Sequence, residues 1–129
     1  MNYYESPPPD GVRKFEAPLV HKVCEFYKKL YLLTAKIPKR DRFGIFQKVE
    51  TICLDIIILS NAATLETKQN KPAHLNSARI KIETIKKLIR ITHELNLIDQ
   101  KKYFDLELDL EEISKMTNGW LKYTKENPR

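Results

Sequence analysis

The chain is 129 residues long, 42% hydrophobic and 31% charged, a size at which roughly two-thirds of the unfolded surface is buried and one domain uses the whole core. Its two cysteines, Cys24 and Cys53, stand inside apolar runs with no CxxC or Cys/His spacing, which argues against a disulfide framework or a structural metal and fits free thiols in a reducing cytosol. No apolar run is long enough for a bilayer span, so the net charge of +6 makes a soluble cytoplasmic protein with a polyanionic partner the expectation.

Residues 1–17 read as a flexible tail, because Pro7-Pro8-Pro9 and Gly11 break any regular element, and Glu5 and Asp10 stand where a signal peptide needs basic and then apolar residues. From Pro18, harmless in a first helical turn, Leu19, Val23, Phe26, Tyr27, Leu30 and Leu33 recur three and four apart. This face predicts a helix of about five turns that stops before Pro38. Asp41 is placed to cap a second helix carrying Ile45, Phe46, Val49, Ile52, Cys53, Ile56, Leu59 and Ala63. Across Ile52 to Leu59 apolar side chains point almost all round; a buried strand competes there, but the helical pattern on both flanks favours helix. After Pro72, Leu75, Ala78, Ile82, Ile85, Ile89 and Thr92 form a heptad seam, with Ile80 and Ile91 off it. An Asp99 cap then opens a fourth helix whose stripe is Tyr103, Leu106, Leu110, Ile113, Thr117, Trp120 and Leu121. Strand-like alternation from Asp105 to Leu110 is the competing pattern, and Gly119 inside this helix predicts a close approach by another group.

The fold class that follows is all-α, an antiparallel up-and-down four-helix bundle over residues 18–125, with 126–129 a C-terminal tail. Helices two and three carry more apolar surface than one core requires. Ile57, Ile58, Ile80 and Ile91 are therefore candidates for a homo-oligomer interface, with a thicker core as the alternative.

The sequence offers little for catalysis. Gly11, Gly44 and Gly119 begin neither a GxGxxG nor a phosphate loop, and His21, His74 and His93 are scattered without metal-ligand spacing. The acids Asp105, Glu107, Asp109, Glu111 and Glu112 could serve as paired carboxylates but read as a solvated helix face. A non-enzyme without metal or cofactor is expected, with a carboxylate-based bundle enzyme as a remote alternative.

Charge placement is more informative. Residues 12–48 hold ten Lys/Arg against three acids, and residues 68–102 hold nine against three, while the intervening 49–67 hold three acids alone. Lys36, Lys39, Arg40, Arg42 and Lys48 surround the junction of helices one and two, where a helix start also favours anions. On helix three, Arg79, Lys86 and Arg90 share a face about 16 Å long. Glu83 interrupts it and leaves open an ordinary intrahelical ion pair. No motif for reading bases accompanies these charges, so any nucleic-acid binding would be mainly electrostatic.

Three strings, taken in order, resemble the accessory variability determinant (Avd) family over about residues 19 to 124: Ile37-Pro38-Lys39-Arg40-Asp41-Arg42-Phe43, Leu88-Ile89-Arg90-Ile91 through Leu97-Ile98 to Tyr103, and Asn118-Gly119-Trp120-Leu121-Lys122. The resemblance implies a small basic four-helix bundle encoded in a diversity-generating retroelement and assembled as a barrel-shaped homopentamer. It further implies binding to the element's reverse transcriptase and to nucleic acid, in support of mutagenic copying of a template-repeat RNA into cDNA. A related branch, encoded in intervening sequences of ribosomal RNA genes, provides the alternative of a stand-alone oligomeric bundle. The acidic run in helix four departs from a uniformly basic surface and confines the candidate contacts to helices one to three.

Overall fold

The computed structural model describes residues 17–126. It contains four long helices, α1 (Pro18–Thr34), α3 (Ile45–Leu65), α4 (Lys71–Glu94) and α5 (Gln100–Glu126), and a one-turn helix α2 (Lys39–Arg42) between the first two. No strand occurs among the described residues, so both strand-like stretches, Ile52 to Leu59 and Asp105 to Leu110, are helical. The expected tails at 1–17 and 126–129 lie outside the described residues except for Ala17, which is buried, and Glu126, which closes α5.

Each helix turns its predicted stripe to the core, with Tyr27, Leu33, Ile45, Leu59 and Tyr103 at its margin only partly buried. Leu75, Ala78, Ile82, Ile85, Ile89 and Thr92 of α4 are all buried, as are Leu19, Val23, Phe26 and Leu30 of α1. Phe46, Val49, Ile52, Cys53 and Ile56 of α3 meet Leu106, Leu110, Ile113 and Trp120 of α5 in the same core, where each large side chain contributes about 1.5–3 kcal/mol. Buried hydroxyls need no partner from another helix. Ser60, Thr92, Thr117 and Thr124 each donate to a carbonyl three or four residues earlier in their own helix, at 2.6–2.8 Å.

The helices neighbour one another in the order α1, α3, α4, α5 and back to α1. Cross-helix contacts fix the directions. Lys81 pairs with Asp55 at 3.4 Å while the later Asp55-side residue Ala63 accepts from the earlier Lys71, so α3 and α4 are antiparallel. The same reversal links Lys86 to Glu111 and the His93 ring to the Tyr103 ring, stacked at 4.3 Å, across α4 and α5. Between α1 and α5, Lys29 reaches Asp105 and Asp109 while Lys22 reaches Asp109 and Glu112. An up-and-down four-helix bundle results.

Helix ends are set locally. The Asp99 carboxylate accepts the Lys102 backbone N–H at 2.7 Å, the cap expected for the last helix. α4 ends at Glu94, and just beyond it the φ of 60° at Asn96 lets the Leu97 N–H donate to the Thr92 carbonyl at 2.9 Å. Asp41, by contrast, does not cap the second long helix. It lies inside α2, and α3 begins at Ile45 behind Gly44.

Candidate nucleic-acid interface

The basic junction is built by the connection from α1 to α3. Ile37, buried beneath it, anchors the connector to the core, and Pro38 accepts backbone hydrogen bonds from Asp41 and Arg42 to start the single turn of α2. The turn then folds tightly onto α3. A Cβ at Gly44 would sit only 3.0 Å from the Arg40 carbonyl oxygen, so a residue without a side chain allows the close approach. This geometry places Lys39, Arg40 and Arg42 on the rim of the bundle between Lys36 at the end of α1 and Lys48 in the first turn of α3. Lys36, Lys39, Arg40 and Lys48 are exposed and Arg42 is half-buried.

Acidic residues are spent elsewhere. Lys22 of α1 pairs with Glu112 at 2.8 Å and Asp109 at 3.2 Å, and Lys29 pairs with Asp109 at 2.6 Å and Asp105 at 3.1 Å. Glu112 raises the Lys22 ammonium above the usual lysine range by hydrogen bonding, against the pull of burial and with help from Asp109. Burial lowers Lys29, but its bonds to Asp109 and Asp105 outweigh that and leave it raised. The acidic run of α5 is thus a partner for α1 as well as a solvated face, a pairing that spacing within one helix does not show.

Of the three cations proposed on α4, the structure separates all three. Lys86 is bound by Glu83 at 3.2 Å and by Glu111 at 3.0 Å, so the ordinary ion pair is what the structure shows there. Arg90 is exposed near the C-terminal end of α4, which topology puts at the same end of the bundle as α2, along with exposed Lys101 at the start of α5. Arg79 lies toward the opposite end, in a cleft of about 380 Å³ with Asn76, Asn118, Lys122, Lys125 and Glu126. Lys101, Lys122 and Lys125 were not picked out from the sequence because nothing local distinguishes them from solvated lysines.

The candidate interface residues also divide. Ile58 and Ile80 are 64% and 63% exposed and Ile91, about three turns beyond Ile80 on α4, is 39% exposed, whereas Ile57 is half-buried and packs against the core. Gly119 stands exposed on α5, so the close approach expected there is not made among the described residues. Among the described residues no helix is long and apolar enough to cross a membrane, and no group of three or more His, Cys, Asp or Glu is arranged to hold a metal ion.

A further cleft, of about 340 Å³, opens beside α2 and is lined by Tyr31, Thr34, Arg42, Phe43, Gln47 and Glu50. The Arg42 guanidinium lies 5.2 Å from the centre of the Phe43 ring. Its Nε is buried without a hydrogen-bond partner among the described residues.

Comparison with known proteins adds one finding. No curated protein and no solved structure matches the chain. A family model described as bAvd-like matches residues 19–124, from the first buried residue of α1 to the last buried residue of α5, and the chain therefore belongs to the bAvd-like family.

Proposed function

We propose that this protein is an accessory factor of a diversity-generating retroelement, which binds the reverse transcriptase, the template-repeat RNA and DNA as a homo-oligomer. The observation that carries this reading is the rim of α1, α2 and α3. Lys36, Lys39, Arg40, Arg42 and Lys48 gather there while the acids of α5 are occupied by Lys22, Lys29 and Lys86. Five cations against Asp41 and Glu50 leave this rim with a basic surplus that neutralises phosphates and concentrates a polyanion without any chemical step. Membership of an accessory-protein family fits a role through proximity.

Oligomerisation follows from the apolar outer faces. Ile58 with Leu54 and Leu65 on α3, and Ile80 with Ile91 on α4, face away from the core, and so do Phe104 and Leu108 of α5. Two separate apolar faces suit a closed ring, in which each subunit offers one face to each neighbour, and the homopentamer is the ring we assign.

The role is tested by expressing the chain with the reverse transcriptase encoded beside its gene and purifying through a tag on the chain. Co-purification that survives nuclease is the expected result. A locus without a reverse-transcriptase frame, or a polymerase that does not co-purify, favours the stand-alone bundle.

A further inference from the structure

The cleft beside α2 is not explained by charge alone. Tyr31 and Phe43 at its mouth are each 60% exposed, two large rings left in water within the most basic part of the surface. Arg42 contributes a buried Nε donor without a partner, and Gln47 and Glu50 contribute an amide and a carboxylate. We infer that this cleft takes an unpaired nucleobase from a single-stranded stretch of nucleic acid. The inference rests on the nucleic-acid reading above and adds which chemical group enters.

The lining distinguishes a base from the other parts of a polynucleotide. A phosphate is the wrong occupant, because the Glu50 carboxylate in the wall repels it. A base is neutral, offers a π-face to Tyr31 or Phe43, and presents edge N–H groups that the Glu50 carboxylate accepts and edge acceptors that the Gln47 amide donates to. Exposed Lys39, Arg40 and Lys48 then sit where the flanking phosphates run. In a duplex the same base is stacked and paired, so the cleft favours single strands.

The test uses the whole chain with a single-stranded RNA of about twelve nucleotides carrying a central 2-aminopurine, and the duplex of that RNA. The variants are Phe43→Ala and the double variant Tyr31→Ala with Phe43→Ala, checked for native helicity by circular dichroism. The parent protein is expected to change the 2-aminopurine fluorescence on binding. The double variant is expected to bind the single strand about tenfold or more weaker, with an unaltered salt dependence and unaltered duplex affinity. Equal affinity of parent and variants for the single strand overturns the inference, as does an equal loss on single strand and duplex. A changed assembly mass with unchanged RNA affinity also overturns it and assigns the cleft to a second copy of the chain. Where the inference fails but the parent keeps salt-dependent RNA binding, the nucleic-acid reading stands; a parent that binds neither RNA overturns both.

Discussion

Lys71 is 6% exposed, a burial that a lysine tolerates only with its ammonium fully engaged. Its Nζ lies 2.6 Å from the Ala63 carbonyl oxygen and 3.3 Å from that of Thr64, in the last turn of α3, and 5.8 Å from the centre of the Trp120 ring. The final carbonyls of a helix lack intrahelical partners and form its negative end, so a cation there satisfies both needs. Lys71→Met keeps the apolar stem and leaves the acceptors unpaired; urea unfolding should show a loss of about 1–3 kcal/mol, whereas an unchanged midpoint would show that the contact contributes nothing. Nothing beside Pro72 in the sequence sets Lys71 apart from a solvated first-turn lysine. Asp99 was legible as a cap because a cap bonds to backbone three residues away. α3 starts at Ile45, as its apolar stripe implies, but Asp41 does not cap it because Lys39–Arg42 closes a helical turn of its own before the tight turn at Gly44.

At the scale of elements, α1 joins α5 through an ion-pair ladder, and the ladder fixes how stability responds to pH. Lys22, Lys29 and Lys86 hold their protons more tightly in the folded chain than free lysine does. The stabilisation they give is present in full below the ordinary lysine value and is lost as pH rises through the raised one. Cys53 acts in the same direction. Burial, with smaller contributions from Cys24 and Glu50, pushes its thiol up to about 12, so the unfolded chain loses that proton first as pH rises. Thermal melts should therefore be steady between about pH 6 and 8 and decline above about pH 9. A melting temperature that holds between about pH 9 and 10 would contradict the buried thiol, and one that holds above about pH 10.5 would contradict the ladder. The α4 seam was legible in full, because a heptad reports burial within one helix. The ladder was not, since Lys29 and Asp109 are brought together only by the closure of the bundle.

The whole molecule leaves apolar side chains on the outer faces of all four long helices, Leu32, Ile58, Ile80 and Leu108 among them. The surplus on helices two and three is legible in the sequence, whereas Phe104 and Leu108 are not. Their alternation with Asp105, Glu107 and Asp109 resembles a strand and hides which face they occupy. Native mass spectrometry at micromolar concentration should show a single closed oligomer, and Ile58→Asp with Ile80→Asp should reduce it to monomers that keep their helicity. A parent protein that is monomeric would mean that these faces need no partner. The rim of α1, α2 and α3 was legible because its cations crowd into one connection, whereas the cleft of Tyr31, Phe43 and Glu50 exists only once three elements pack.

That rim as a phosphate-binding surface is the central claim, and the salt dependence of RNA affinity tests it most directly. Binding of a single-stranded RNA should be measured across a range of salt for the parent chain and for Lys39→Glu with Arg40→Glu, two exposed positions whose exchange leaves the core intact. Loss of two phosphate contacts should weaken binding and flatten the log–log slope by about 1.4. Parent and variant lines that coincide, in slope and in position, would contradict the claim.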